Sequence, residues 1–127
     1  MSDNIALGKL GEKEGVSYLK RLGYQILETN FKTTLGEIDC IAKDRGMIVF
    51  VEIKTRQNAR YGFPEKAVNR EKQRKMIRTA QLYLKGAGLF EKIEARFDVL
   101  AIFGSKKDKF TVNHIQNAFE IESKENT

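Results

Sequence analysis

The sequence has few of the residues that cross-link a chain or divide it into separate parts. Its 127 residues include one cysteine, one histidine and one proline. A single cysteine excludes an internal disulfide, and a single histidine excludes a His-rich zinc site. Because Pro64 is the only proline and no low-complexity block interrupts the chain, the length predicts one domain. We expect its core over about residues 5–119 and a charged tail over about residues 120–127.

Long apolar runs are also missing. None approaches the roughly 18 residues of a membrane span, and the first four residues, MSDN, lack the basic and apolar blocks of a signal peptide. The chain is 41% apolar and 31% charged, which is typical of a folded protein. Cys40 lies in a strand-like segment, as a small buried hydrophobic residue would. These features predict a cytoplasmic protein without membrane attachment.

Basic residues outnumber acidic ones. The chain has 23 Lys and Arg against 17 Asp and Glu, which gives a formal net charge of +6 and a pI near 9.5. Such a balance favours a polyanionic partner such as nucleic acid. A local patch of carboxylates would oppose that binding unless metal ions neutralised it.

The hydrophobic pattern predicts seven secondary-structure elements. In chain order they are a helix at 5–22, strands at 24–30, 35–43 and 47–55, a helix at 69–86, and strands at 95–103 and 110–115. Asn69 is suited to begin the second helix, and Gly23 is suited to end the first. The order α-β-β-β-α-β-β predicts an α/β fold in which helices pack on a mixed sheet.

Charged residues interrupt the two strands of the predicted hairpin, which joins them through Asp44-Arg45-Gly46. Asp39 lies in its first strand, and Glu52 and Lys54 lie in its second. Because side chains alternate along a strand, Glu52 and Lys54 share one face, where Asp39 can meet them. Two carboxylates held together repel unless a cation separates them, and Mg²⁺ binds one or two carboxylates plus waters and phosphate.

Three further acids are candidates of different kinds. Glu12 falls inside the apolar arc of the first helix, so it should point toward the sheet. Glu37 shares the face of Asp39 by alternation, although it could instead serve the turn after Gly36. Asp98 lies within a strand, and we predict that it is a paired structural carboxylate.

Several segments resemble the UPF0102 (YraN-like) family of small bacterial proteins. They are Gly-Glu-Ile-Asp at 36–39, Phe-Val-Glu-Ile-Lys-Thr-Arg at 50–56 and Arg-Phe-Asp-Val at 96–99. The resemblance extends from Gly8 to about Phe119. It implies a restriction-endonuclease-like, three-layer fold of the PD-(D/E)XK superfamily, similar to archaeal Holliday-junction resolvases.

The resemblance also implies roles for particular residues. Asp39 and Glu52 would be metal-binding acids, Lys54 the catalytic lysine, and Glu12 an additional catalytic and metal-binding acid. The implied cofactor is Mg²⁺ or Mn²⁺, and the implied reaction is endonucleolytic hydrolysis of structured or branched DNA. Asp39 follows isoleucine where the superfamily name has proline. Gly15 replaces an expected alanine, which keeps close packing but weakens the helix by about 1 kcal/mol.

Residues around the predicted site suggest contacts with nucleic acid. Arg56 directly follows the second hairpin strand, and Lys72 lies in the first turn of the second helix, so both are candidates for phosphate contacts. Tyr61 and Phe63 lie in a basic loop, where they could stack on a base or anchor the loop to the core.

Other interpretations remain open at this stage. Asp39, Glu52 and Lys54 could form a salt-bridge ladder between strands. The protein could be a nucleic-acid-binding module with a vestigial nuclease site, or an accessory subunit for another protein. Junction resolvases of this fold act as dimers on a two-fold symmetric substrate, so a homodimer is also an alternative.

Overall fold

A mixed five-stranded sheet organises the chain. The computed structural model describes residues 2–57, 68–104 and 109–120. The elements are α1 (Ser2–Arg21), β1 (Gln25–Thr33), β2 (Gly36–Asp44), β3 (Met47–Arg56), α2 (Arg70–Gly86), β4 (Ala95–Phe103) and β5 (Thr111–Phe119). Their order is the predicted α-β-β-β-α-β-β, and the predicted α/β class is confirmed.

The strands lie in the sheet in chain order, from β1 at one edge to β5 at the other. β1 pairs with β2, β2 with β3, and β4 with β5 in antiparallel fashion. β3 and β4 are parallel, because α2 forms the crossover that such a pair requires. β3 therefore lies at the centre of the sheet, with both faces covered.

Alternation along the strands produces one apolar layer on each face. On the α1 side, Leu19 packs with strand residues that include Val49, Val51 and Leu100. On the α2 side, Met76 packs with residues that include Phe50. The two helices thus enclose the sheet in a three-layer arrangement.

Two glycines bring α1 close to the sheet. A Cβ atom on Gly15 would lie 3.0 Å from Ile53 Cδ1 and 3.3 Å from Leu100 Cδ1, so the close packing predicted for this position is confirmed. A Cβ atom on Gly11 would overlap the side chain of Thr55. Gly11 therefore fixes the first half of α1 against the end of β3.

The predicted helix and hairpin boundaries are largely confirmed. Asn69 caps α2 by accepting a hydrogen bond from the Lys72 backbone N–H at 2.9 Å. Gly23 follows α1 with φ +95°, a conformation that glycine adopts without strain. Arg45 and Gly46 both have positive φ, as in the two-residue turns that match strand twist.

β1 and β5 are longer than predicted. β1 continues to Thr33 instead of residue 30, and β5 continues to Phe119 instead of residue 115. Each strand passes through an asparagine with positive φ, Asn30 at 53° and Asn117 at 52°. Asparagine tolerates this conformation better than most residues, so it does not end the strand here. No helix in the described ranges is long and apolar enough to cross a membrane.

Candidate functional site

The candidate site lies where β2 and β3 separate. Their pairing extends from Asp44 opposite Met47 to Cys40 opposite Val51. Asp39 is the next residue of β2, and its Oδ2 accepts a hydrogen bond from the Ile53 backbone N–H at 2.8 Å. The carboxylate of Asp39 is therefore fixed in the fork between the two strands.

Glu52 lies on the α2 side of β3 and is almost completely buried, with 3% of its surface exposed. Its Oε2 is 3.2 Å from Lys54 Nζ and 2.5 Å from Lys72 Nζ. The predicted shared face of Glu52 and Lys54 is thus observed. Two ammonium groups on one carboxylate oxygen offset the cost of burying its charge.

The environment of Asp39 disfavours its charged form. Burial and the negative charge of Glu52 raise the pKa of Asp39 from 3.8 to about 7, against the opposing effect of the hydrogen bond from Ile53. Glu12 and Glu37 add smaller contributions that also raise this pKa. Asp39 therefore lies close to other carboxylates, and a bound cation would offset the repulsion between their charges.

Glu12 reaches the same region from α1. It is partly buried and lines a cleft together with Asp39, which agrees with the prediction that it points toward the sheet. Burial and the charges of Glu37 and Glu52 raise the pKa of Glu12, while Lys32 and Lys9 lower it. α1, β2 and β3 thus each direct acidic side chains toward one region.

Lys72 enters the site from the first turn of α2. Burial alone would lower the pKa of Lys72, but its hydrogen bond to Glu52 and the charge of that residue result in a raised pKa. Its ammonium therefore stays charged and directed at Glu52. Sequence reasoning proposed Lys72 only as a phosphate contact, because the approach of α2 to β3 depends on tertiary packing.

Asp39 lines two clefts. The first, of about 400 Å³, lies between β2 and α2; its lining includes Glu37, Glu52, Lys72 and Lys75. The second, of about 620 Å³, lies between α1 and the first hairpin, which β1 and β2 form. It is lined by Lys9, Glu12, Lys13, Val16, Ser17, Lys20, Thr29, Asn30 and Asp39. Asp39 is thus the residue at which the two clefts meet.

The donor set fits a hard divalent cation that retains much of its water. Within the ranges that the structure describes, no group of three or more His, Cys, Asp or Glu side chains is arranged to hold a metal ion. Mg²⁺ requires only one or two carboxylates, because waters and substrate phosphate complete its shell. Asp39 and Glu52 would supply two such ligands, and a cation between them would offset the repulsion from Glu52 that, after burial, raises the pKa of Asp39.

Some predicted residues are not brought into the site. Arg56 is exposed at the end of β3, where its Nη1 donates a hydrogen bond to the Thr55 carbonyl at 2.9 Å, and it lines neither cleft. Tyr61 and Phe63 lie outside the described residues. Cys40 is fully buried, as predicted for a small hydrophobic residue, and burial and the charge of Asp39 raise its pKa to about 12.

A second polar group lies away from Asp39 and was only partly predicted. Asp98 is fully buried and accepts hydrogen bonds from Arg96 Nε at 3.0 Å and the Asn117 N–H at 3.0 Å. His114 Nε2 lies 2.7 Å from the same carboxylate, and Tyr18 Oη lies 3.2 Å from His114 Nδ1. Asp98 is therefore the paired structural carboxylate that we predicted.

The charge of Asp98 is stabilised by these partners. Burial alone would raise its pKa, but the bonds from His114, Arg96 and Asn117 hold that pKa below its usual range. His114 lies on the edge strand β5, but its side chain is 7% exposed and points into this network.

Comparison with known proteins agrees with the resemblance in the sequence. The model of the uncharacterised protein family UPF0102 matches residues 11–102. A UPF0102 protein of Clostridium botulinum strain Hall is 45% identical over 119 residues, which are 93% of this chain and 97% of the relative. A UPF0102 protein of Persephonella marina is 43% identical over 115 residues, which are 91% of this chain and 94% of the relative.

Proposed function

We propose that this chain, which belongs to the uncharacterised protein family UPF0102, is a metal-dependent endonuclease. Its substrate would be structured or branched DNA, and its cofactor Mg²⁺ or Mn²⁺. One observation carries the proposal: Asp39 is fixed beside the buried Glu52 in a fork of the sheet, at the meeting point of two clefts that contain lysines.

The electrostatics favour a site that receives a cation over a salt-bridge ladder. Among the described residues, Glu52 has two ammonium partners, whereas Asp39 has one backbone N–H donor and a raised pKa. A structural carboxylate of this chain has a different environment, since Asp98 is bound by two side chains and a backbone N–H and its pKa is lowered. Asp39 therefore costs stability when charged, and a cation would offset that cost.

Each residue has a separate task in the proposed reaction. Asp39 and Glu52 would hold the ion, which supplies an activated water and neutralises charge on the phosphate. Lys54, on the same face as Glu52, would contact a phosphate oxygen and stabilise the charge that develops on it. Glu12, with its raised pKa, would take a proton from the attacking water.

Hydrolysis forms a bond between the water oxygen and phosphorus and breaks one phosphorus–oxygen ester bond. The products are a strand that ends in phosphate and a strand that ends in hydroxyl, and the leaving oxygen takes a proton from solvent. The side chains supply no covalent intermediate. Their contribution is to position the phosphate and to stabilise its charge.

The two lysines that pair with Glu52 favour a second function. Lys54 and Lys72 already neutralise this carboxylate within the chain, so the site has a charge-balanced state without any cation. If the protein functions in this metal-free state, it would bind nucleic acid through its basic surface without cutting it. Cleavage assays separate the two functions.

The test uses labelled four-way junctions, flaps and duplexes with Mg²⁺, Mn²⁺ or EDTA. We expect the wild type to cut a branched substrate with either ion and to be inactive in EDTA. Asp39→Asn and Glu52→Gln should each lose at least about 100-fold in rate, as expected when a group that stabilises transition-state charge is removed. Glu28→Gln, a change at an exposed carboxylate of β1, should retain wild-type activity.

Two results would count against a metal-dependent nuclease. The first is clear DNA binding with no more product from the wild type than from Asp39→Asn, which would favour the binding module. The second is equal activity in EDTA and Mg²⁺, which would exclude the proposed role of the two acids.

A further inference from the structure

The cleft between α1 and the first hairpin is lined on one side by basic side chains of α1. Lys9, Lys13 and Lys20 line it, and all three are exposed. None of them forms an ion pair within the part of the chain that the structure describes. Their charges are therefore available to a ligand in the cleft.

The spacing of these lysines places them in one row. At about 100° per residue, Lys13 and Lys20 are within about 40° of Lys9 around the helix axis. The row lies beside the arc that contains Glu12 and Val16, so it borders the sheet instead of pointing directly away from it. Lys13 and Lys20 are thus exposed to solvent and also line the cleft.

The length of the row suits a polymer of phosphates. Lys9 and Lys20 are separated by eleven residues, which is about 16 Å along the helix. At about 3.4 Å per phosphate along one strand of a duplex, this distance spans about five phosphates. Ser17, Thr29 and Asn30 add hydrogen-bonding groups to the same lining.

The row also borders the candidate site. Asp39 lines this cleft, and it lines the opposite cleft together with Lys72 and Lys75 of α2. Lysines are thus present on both sides of Asp39, on helices that cover opposite faces of the sheet. A strand that followed both clefts would pass Asp39 between them.

We infer that the α1 cleft binds the sugar-phosphate backbone of a nucleic-acid strand on one side of the phosphate at Asp39. Lys9, Lys13 and Lys20 are its phosphate contacts, and Lys72 and Lys75 contact the strand on the other side. This inference rests on the proposed function for the position of the reacting phosphate. Binding by the row of lysines depends only on the charge of the phosphate backbone, which DNA and RNA share.

Binding without cutting tests the inference. Fluorescence anisotropy in EDTA measures the affinity of labelled junctions, duplex DNA and RNA of the same sequence over a range of salt concentrations. Each phosphate contact changes the slope of log affinity against log salt by about 0.9 on duplex DNA. We expect Lys9→Ala, Lys13→Ala and Lys20→Ala combined to reduce the magnitude of the slope by about 2–3.

A matched control carries the same loss of charge elsewhere. Lys43, Lys85 and Lys92 are also exposed, and none lines either cleft. Changing these three to alanine together should leave most of the slope intact. Glu12→Gln removes a negative charge from the α1 cleft, so it should tighten binding in EDTA.

The outcomes distinguish this inference from the proposed function. An equal loss of slope in the two triple variants, or no salt-sensitive binding by the wild type, overturns the lysine row. A selective loss in the α1 variant supports it, even if the wild type cuts nothing with Mg²⁺, in which case only the nuclease proposal fails. Equal slopes on DNA and RNA indicate backbone recognition alone, while a selective loss on one of them identifies the preferred backbone.

Discussion

Replacing Asp39 with asparagine should make the protein more stable at neutral and alkaline pH. The carboxylate of Asp39 is partly buried beside Glu52, and its pKa is about 7 instead of 3.8. Asparagine removes the charge, while its side-chain oxygen still accepts the hydrogen bond from the Ile53 N–H. The change therefore removes a repulsion and retains the local contact.

The sign and size follow from proton linkage. Because the pKa of Asp39 is raised on folding, the folded state binds more protons than the unfolded state between about pH 4 and pH 7. The stability of the wild type consequently falls as pH rises through this window. A pKa difference of this size corresponds to about 4 kcal/mol, and solvent screening reduces it, so we expect about 2–4 kcal/mol.

Urea denaturation in EDTA measures the effect. Far-ultraviolet circular dichroism is a suitable probe because the chain has no tryptophan. Asp39→Asn should exceed the wild type by about 2–4 kcal/mol in free energy of unfolding at pH 8, and the gap should close toward pH 4. A variant that is no more stable than the wild type at pH 8, or a gap independent of pH, would show that the charge of Asp39 does not destabilise the folded state.

Three further predictions concern the same chain. Gly11→Ala should lower the free energy of unfolding in urea by about 1–3 kcal/mol, because its Cβ would overlap Thr55. Gly8→Ala should raise it by up to about 1 kcal/mol, since nothing lies within 4 Å of a Cβ there. Equal effects of the two changes would contradict the close contact at Gly11. Asp98→Asn should lose about 3–5 kcal/mol at pH 7, and the loss should shrink only below about pH 4, because the pKa of this acid is lowered. An undiminished loss at lower pH would rule out that cause. Mg²⁺ at 100 times its dissociation constant should stabilise the wild type by about 2.7 kcal/mol in the same assay. It should not stabilise Asp39→Asn, and equal stabilisation would place the ion elsewhere.

Local sequence patterns were sufficient for the parts of the site that depend on periodicity. The alternation of apolar and charged residues in β3 correctly placed Glu52 and Lys54 on one face. The helical wheel correctly turned Glu12 toward the sheet. In both cases the period of a single element determines the direction of the side chain.

Contacts between elements were harder to predict. The approach of Lys72 to Glu52 depends on how α2 packs across β3, and the burial of His114 depends on its contacts with Tyr18 of α1 and Asp98 of β4. Lys13 and Lys20 lie near the boundary between the apolar arc and the outer face of α1. Their place in a cleft follows from the position of the first hairpin, which the helix pattern alone does not contain.

A crystal structure with Mn²⁺ would show whether Asp39 and Glu52 hold a metal ion together. We expect an anomalous peak with a carboxylate oxygen of Asp39 and one of Glu52 each about 2.0–2.2 Å away, as expected for a small hard cation. Lys72 Nζ should then have moved away from Glu52. Saturating Mn²⁺ with no peak at Asp39, and with both Lys54 and Lys72 still bound to Glu52, would contradict a metal-dependent nuclease site.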